Sequence, residues 1–261
     1  MREVTFISGA TGGIGRAFAF ECAKKGYDLF LTGRSEAKLK ILKEELCLFN
    51  VNVDFCACDL TSIEEREKLY LCVKEKGFAL NRIILVAGVD TQKPFLEYTR
   101  EKLLFQLRVN AEATIDLTHS LLSLRAKETE VVAISSMSCV SPMPYFQIYS
   151  ATKGLILSFF TALRYELKGE GVKITTVMPG GVPTRKDIIE DIKGQGLWGK
   201  LSSKSPEFVV RGSLRAVKKN KAKYIPGFFN KFLYFIMKIA PKKIVLNFIA
   251  KRWKKLRKDA F

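Results

Sequence analysis

Two residues with complementary acid–base chemistry, Tyr149 and Lys153, lie four positions apart in the segment IYSATKG. If this segment is helical, their side chains lie on one face, one turn apart. A neighbouring ammonium favours the phenolate, so we expect Lys153 to lower the pKa of Tyr149. Such a tyrosine could exchange a proton with an alcohol or a carbonyl oxygen near neutral pH. The spacing also occurs on ordinary helix surfaces, so its meaning depends on the rest of the chain.

The elements that would position this pair follow from an alternation of apolar runs and amphipathic stretches. Strands are predicted at residues 4–8, 28–32, 52–57, 82–87, 130–135, 173–178 and 222–225, and helices at 15–25, 36–49, 63–76, 100–127 and 149–168. This order predicts an α/β fold, a Rossmann-type doubly wound parallel sheet of about seven strands with helices on both faces. Ligands of such sheets bind beyond the carboxyl ends of the strands.

A glycine-rich loop follows the first predicted strand and precedes the first predicted helix. Glycines allow a tight turn and a close backbone approach to a phosphate, and the helix N-terminus offers free N–H groups to it. The loop therefore predicts a dinucleotide site, although a plain tight turn is the alternative. Its candidate cofactor-binding residues are Gly9, Thr11, Gly12, Gly13, Ile14 and Gly15.

The ends of the second and third predicted strands indicate which dinucleotide is bound. Arg34 follows the second strand, at a position where an acid would bind the ribose 2′-hydroxyl of NAD and an arginine suits the 2′-phosphate of NADP. We therefore expect NADP(H), with a solvated surface arginine as the alternative. Asp59 and Leu60 close the third strand, where Asp59 could meet the adenine amino group.

Together these motifs resemble the short-chain dehydrogenase/reductase family over roughly residues 4–184. They occur in order as Gly9–Gly15, Asp59-Leu60, Asn110 in RVNAEAT, Ser136 in ISSMS, Tyr149-x-x-x-Lys153 and Pro179-Gly180. The resemblance implies that Tyr149 is the general acid/base and that Lys153 lowers its pKa and binds the nicotinamide ribose. It also implies that Ser136 stabilises the substrate oxygen and that Asn110 holds a water in a proton relay.

The resemblance also implies further cofactor contacts after the fourth strand and beside the nicotinamide, at Ala87, Gly88, Pro179, Gly180, Val182 and Thr184. Two positions depart from the family pattern. Val86 stands where the family has asparagine, which leaves the local geometry of the central strands open, and Ser8 stands where threonine is usual. Simpler roles remain for two site residues, since Ser136 could form a turn and Asn110 could bond helix backbone.

Two regions are expected to form the substrate side. Residues 184–206 would form a lid, and their glycines suit a mobile segment. Residues 143–146, Met143, Pro144, Tyr145 and Phe146, precede the catalytic tyrosine and are expected to line an apolar pocket.

The basic charge is concentrated at the C-terminus, where residues 218–261 contain fourteen Lys and Arg and one acid and so carry +13 of the net +18. Residues 228–261 read as two amphipathic helices split by Pro241, too interrupted by lysines to span a membrane. They could lie on an anionic membrane surface, or pack on the protein or a second subunit. No nucleic-acid-binding motif accompanies the charge, so no nucleic-acid partner is expected. The tail resembles that of bacterial hydroxysteroid and long-chain 3-oxoacyl reductases.

The remaining composition argues against other classes. Six cysteines lack metal-ligand spacing and His119 is the only histidine, so no metal site is expected and the thiols should be reduced. No signal peptide is apparent at the N-terminus, which favours the cytoplasm, with a peripheral position at the inner membrane face as the extension of that view.

The sequence thus predicts an NADP(H)-dependent oxidoreductase that interconverts a ketone and a secondary alcohol on a steroid-like or long-chain acyl substrate. Its catalytic domain would be residues 1–227, and the family resemblance implies a homodimer or homotetramer. The alternative is a non-catalytic, membrane-associated protein that binds NADP(H) as a scaffold or sensor.

Overall fold

A computed structural model describes residues 1–254 of the 261-residue chain. Its centre is a parallel sheet with strand order β3-β2-β1-β4-β5-β6-β7. The sheet confirms the predicted doubly wound α/β fold. The strands are β1 (Glu3–Ser8), β2 (Leu29–Gly33), β3 (Val53–Ala57), β4 (Ala79–Leu85), β5 (Arg125–Ile134), β6 (Val172–Val177) and β7 (Lys223–Tyr224).

Helices cover both faces of the sheet. They are α1 (Gly13–Ala23), α2 (Glu36–Cys47), α3 (Ile63–Glu75), α4 (Arg100–Leu107), α5 (Ala113–Leu122), α6 (Gln147–Glu166), α7 (Lys186–Gly194), α8 (Gly196–Ser202), α9 (Pro206–Lys218), α10 (Phe228–Ile239) and α11 (Lys242–Trp253). The core has two halves, because α1, α2 and α9 pack on one face of the sheet and α3, α5 and α6 pack on the other. Strands buried on both sides explain the continuous apolar runs of the sequence.

The switch point lies between β1 and β4, whose carboxyl ends are adjacent. Connections leave these two strands in opposite directions, so a crevice opens there. The Ser8 hydroxyl at the end of β1 accepts hydrogen bonds from the backbone N–H groups of Val86, at 3.1 Å, and Ala87, at 3.3 Å. These two bonds fix the backbone geometry at the end of β4, which the valine at position 86 had left open.

The predicted helix at 100–127 is wrong in its extent. It consists of α4, a π-helical turn (Arg108–Glu112) and α5, and the chain already belongs to β5 from Arg125 onward. The backbone N–H of Leu80 donates to the carbonyl of Leu124, and Arg125 pairs with Leu80 in the sheet. Sheet pairing has therefore overridden the local helical pattern, as tertiary contacts often do.

The C-terminal segment folds as two helices on either side of Pro241, because α10 ends at Ile239 and α11 begins at Lys242. The last seven residues of the predicted extension, 255–261, lie outside the described residues. Within residues 1–254, no helix is both long enough and apolar enough to cross a bilayer.

Candidate active site

A cavity of about 560 Å³ opens beyond the carboxyl ends of the central strands. Its inner wall brings together most of the residues predicted for catalysis and for the nicotinamide end of the cofactor. Those on the wall are Ile14, Gly88, Ser136, Tyr149, Lys153, Pro179, Gly180, Val182 and Thr184.

The catalytic pair is positioned by β5 and α6. Tyr149 is the third residue of α6, and Lys153 lies one turn later with its side chain buried. The Lys153 ammonium donates a 2.9 Å hydrogen bond to the carbonyl of Ile134 at the end of β5, and it lies 5.6 Å from the centre of the Tyr149 ring. Ser136 follows β5, and its side chain neighbours that of Tyr149, whose pKa it lowers. The predicted serine–tyrosine–lysine constellation is therefore assembled at one point of the cavity.

The electrostatics of this pair differ from the sequence expectation. Burial, with a smaller effect from the Asp90 carboxylate, raises the pKa of Tyr149 above its ordinary value, and the neighbouring Ser136 side chain opposes this only in part. Burial also lowers the pKa of Lys153 to about 8. The predicted lowering of the Tyr149 pKa is thus wrong for this state of the protein, because desolvation of the phenol outweighs its neighbours. A Tyr149 phenol that stays protonated at neutral pH can act as a proton donor.

Asn110 occupies the π-helical turn between α4 and α5, a feature that often marks functional positions. Its amide oxygen accepts from the Val89 N–H at 2.7 Å, and its amide nitrogen donates to the Val89 carbonyl at 2.8 Å and to the Thr152 hydroxyl at 3.2 Å. The residue thus ties the loop after β4 to the turn before Lys153. Its observed side-chain bonds position the loop backbone at Val89, not helix backbone as its simpler predicted role had it, and the predicted water relay stays a prediction.

Gly88 explains why this loop comes so close to the catalytic pair. A Cβ atom at Gly88 would lie 3.1 Å from the Lys153 ammonium and 3.3 Å from the Asn110 amide oxygen. Only a residue without a side chain fits here without displacing one of the two. Gly88 thus lies beside the catalytic pair, and its cofactor contact stays a prediction.

The glycine-rich loop makes a close backbone approach and leads into an uncapped helix N-terminus. Gly9 has φ +62°, and a Cβ atom there would lie 2.9 Å from the backbone of Ala87. Helix α1 has Gly12 at its N-cap, no side chain that caps it and no acid in its first turn. Its first N–H groups are therefore available to an anion. Thr184 packs against Gly13, so two predicted contacts from distant parts of the chain meet at this loop.

The predicted adenosine end lies outside the main cavity. Arg34 is exposed at the end of β2, and its guanidinium lies 5.7 Å from the centre of the Phe105 ring. The Asp59 carboxylate accepts two hydrogen bonds from Thr61, both at 2.9 Å, and the side chain of Leu60 is buried in the core. Asp59 and Leu60 thus shape the chain after β3, while Arg34 remains accessible to a ligand.

The outer wall of the cavity comes from elements for which the sequence gave only a general expectation. Helix α7 and helix α8 of the predicted lid line it through Ile188, Ile192 and Trp198. Met143 and Phe146 line the cavity as predicted, but Pro144 and Tyr145 do not. Tyr145 has φ +65°, so this turn directs the chain away before α6 begins.

The C-terminal helices complete the cavity, which sequence reasoning missed. Trp253 of α11 stacks on Phe146 at 5.5 Å between ring centres, and Phe146 stacks on Tyr149 at 4.5 Å. In α10, the buried Asn230 donates to the carbonyls of Ser202 and Pro226 and so fastens this helix to the lid. Other apolar residues of the two helices that line the cavity are Leu233, Met237, Val245, Phe248 and Ile249.

A doubly wound sheet with a serine–tyrosine–lysine site is typical of one class of proteins, and comparisons with known proteins indicate that same class. The family model for short chain dehydrogenases matches residues 3–190. The chain therefore belongs to the short-chain dehydrogenase/reductase family, a family of oxidoreductases.

Particular relatives are diverse. The chain is 32% identical over 185 residues to the human "Inactive hydroxysteroid dehydrogenase-like protein 1", covering 68% of this chain and 55% of that protein. It is 31% identical over 227 residues to the very-long-chain 3-oxoacyl-CoA reductase of Bos taurus, covering 82% and 68%. A solved structure of a 7β-hydroxysteroid dehydrogenase superposes with a TM-score of 0.85 at 23% identity, covering 95% of this chain and 96% of that one.

Proposed function

We propose that this protein is an NADP(H)-dependent reductase that converts a ketone on a bulky apolar molecule into a secondary alcohol. The observation that carries the proposal is the meeting of Ser136, Tyr149 and the buried Lys153 on the wall of one cavity of about 560 Å³. A nicotinamide dinucleotide, when bound, supplies the hydride. The residues of this chain supply the proton and the stabilisation of charge on oxygen.

Tyr149 would act as the acid in this direction. A pKa above the ordinary value keeps the phenol protonated at neutral pH, so that it can donate its proton to the oxygen of the substrate. The Ser136 hydroxyl would donate a second hydrogen bond to the same oxygen as negative charge develops there. The positive charge of Lys153 would stabilise the phenolate that remains until a proton from solvent restores the phenol, and Asn110 would hold the neighbouring backbone in place.

The choice of NADP(H) over NAD(H) rests on Arg34. Its exposed guanidinium at the end of β2, a position not occupied by an acid, matches the geometry of a phosphate on the adenosine ribose. Gly9, Gly12, Gly13 and Gly15 would hold the pyrophosphate, and Thr184 would contact it from the other side. Asp59 would lie beside the adenine.

A bulky apolar substrate is supported by the cavity itself. Most of the side chains that α7, α8, α10 and α11 contribute to its outer wall are aliphatic or aromatic. Apolar walls of this kind bind ligands through the area they remove from water. The names of two relatives, a 3-oxoacyl-CoA reductase and a hydroxysteroid dehydrogenase, agree with a long-chain acyl or steroid-like substrate.

We also propose that the outer face of α10 lies on an anionic membrane. Its inner face packs on the protein, but Phe228, Phe232, Phe235 and Ile239 form an exposed stripe at helical spacing. Lys231 and Lys238 are exposed on the same helix, and Lys242 and Lys243 follow it. An apolar stripe bordered by lysines is the pattern of a helix that lies in the membrane interface.

The rival function is binding of NADP(H) without turnover. The human relative supports this alternative because its name describes it as inactive. The test is a screen of NADPH oxidation with ketones of graded size, from small aliphatic ketones to steroid and long-chain ketones. We expect turnover that increases with the apolar size of the ketone. Binding of NADPH without oxidation on any ketone of the panel would support the rival.

A further inference from the structure

Arg252 is a charged group in the cavity that the proposed chemistry does not use. It lies on α11, and its side chain is half-buried on the cavity wall. Its guanidinium donates a 3.1 Å hydrogen bond to the amide oxygen of Gln195 and lies 5.2 Å from the centre of the Trp198 ring. Within residues 1–254 it forms no ion pair. A cation that is withdrawn from water without a counterion is costly.

The two buried arginines of the described residues have carboxylate partners, and the half-buried Arg164 donates to the carbonyls of Ile174 and Asn220. Arg66 pairs with Glu112 and Asp116, and Arg82 pairs with Glu130. These acids raise the pKa values of both arginines, whereas burial alone lowers the pKa of Arg252. Arg252 therefore lacks the carboxylate partner that Arg66 and Arg82 have.

Arg185, on the same cavity wall, shows how a guanidinium is neutralised there. It donates to the Asp90 carboxylate and to both oxygens of Asp187. Asp191 also lines the cavity and has an interaction of its own. Among the described cavity-lining arginines, Arg252 is thus the one left to bind an external anion.

The neighbours of Arg252 favour a carboxylate. Gln195 must direct its amide oxygen toward the guanidinium, because arginine can only donate, so its amide nitrogen points elsewhere as a donor. That nitrogen has no acceptor among residues 1–254. Two N–H groups of the guanidinium and one of the amide would match the oxygens of a carboxylate.

Arg252 and the catalytic tyrosine line one cavity with a largely apolar wall, so a ligand that contacts both needs an apolar body. Trp253, next to Arg252, is separated from Tyr149 by two ring-stacking steps of 5.5 and 4.5 Å through Phe146. Apolar side chains, among them Phe248 and Ile249, line the same cavity. An apolar skeleton with a terminal charge would fill it.

We propose that Arg252 and Gln195 form an anion subsite that binds the carboxylate of an amphipathic substrate whose ketone meets Tyr149. The assignment of substrate class rests on the proposed function, but the subsite itself does not depend on turnover. It makes Arg252 a specificity-determining residue for apolar molecules that carry an acid at the end remote from the ketone.

Direct binding can be measured by intrinsic fluorescence, because both tryptophans of the chain, Trp198 and Trp253, line the cavity. The full chain is titrated with a long-chain fatty acid and with its methyl ester, below their micellar concentrations and at a pH where the acid is ionised. We expect the wild type to bind the acid about tenfold more tightly than the ester, which corresponds to about 1.4 kcal/mol.

Two variants decide whether Arg252 is responsible. Arg252→Gln should abolish the preference while its affinity for the ester stays within about twofold of wild type, which also shows that the cavity is intact. Arg252→Lys should retain part of the preference, since it keeps the charge but not the planar fork. Equal binding of acid and ester by the wild type would overturn the proposal, as would a preference that survives in Arg252→Gln.

A turnover comparison separates this inference from the proposed function. An oxo fatty acid and its methyl ester are compared as substrates with NADPH, and kcat/KM should fall for the acid alone in Arg252→Gln. If neither ketone is reduced, the proposed function fails, whereas the fluorescence titration still decides the subsite. If Arg252→Gln lowers kcat/KM equally for both, the residue serves packing and the subsite is refuted.

Discussion

The buried ammonium of Lys153 should make the stability of this protein depend on pH. Burial lowers its pKa from the ordinary 10.5 to about 8. Between these values the folded protein binds fewer protons at Lys153 than the unfolded chain does, so the free energy of unfolding rises with pH. The contribution of Lys153 to the free energy of unfolding is therefore lost as the pH falls through about 8.

The size of the effect follows from the difference between the two pKa values. At about 1.4 kcal/mol per pKa unit, the full effect is limited to about 3 kcal/mol. The linkage relation places about 1.3 kcal/mol of it between about pH 7 and about pH 9. That interval ends below the ordinary pKa of tyrosine, so Tyr149 contributes little to it.

Urea unfolding of the wild type and of Lys153→Met at both pH values measures this contribution. The substitution keeps the length of the side chain and removes its charge, and subtraction of the two stabilities removes the contributions of the buried cysteines. The stability of the wild type relative to Lys153→Met should rise by about 1.3 kcal/mol from the lower to the higher pH. Lys24→Met, at an exposed lysine, is the matched control and should show no such rise. A difference that stays constant or falls would refute the buried-ammonium reasoning.

Two further predictions concern the cofactor and the membrane. Arg34→Asp should raise the Kd for NADPH by about tenfold or more and leave the Kd for NADH within about threefold, because it replaces a cation that binds the 2′-phosphate with an anion that repels it. Titration of each dinucleotide measures both values, and an unchanged preference would contradict the assignment of NADP(H). Phe232→Ser with Phe235→Ser should reduce cosedimentation with anionic liposomes, whereas Leu48→Ser with Ile63→Ser, at equally exposed positions elsewhere, should not. If both double variants sediment like the wild type, α10 does not dock on the membrane.

Local patterns predicted most of the fold and the inner wall of the site. Apolar runs that are buried on both sides identify strands, and glycines at fixed spacing identify the loop, because both depend on short stretches of backbone. The helix predicted at 100–127 extended too far for a tertiary reason, since Leu80 pairs with Leu124 and Arg125 in the sheet. A helical pattern of 25 or so residues does not contain that information.

The outer wall and the electrostatics could not be predicted because they depend on distant contacts. The stack of Trp253 on Phe146 joins residues more than a hundred positions apart, and the only signal for it was an amphipathic C-terminal segment with aromatic residues. The direction of the Tyr149 pKa depends on burial, which spacing does not reveal. Spacing correctly placed Lys153 beside the ring, but it could not show that the ammonium is bonded to Ile134.

The central claim is that Tyr149 donates the proton in an NADPH-dependent ketone reduction. The most direct measurement is kcat for an accepted bulky ketone with the wild type and with Tyr149→Phe, together with the Kd for NADPH. Removal of the hydroxyl alone should lower kcat by about 100-fold or more, the scale of general acid catalysis, while NADPH binds within about twofold of wild type. Activity that survives in Tyr149→Phe would contradict the mechanism proposed for this site.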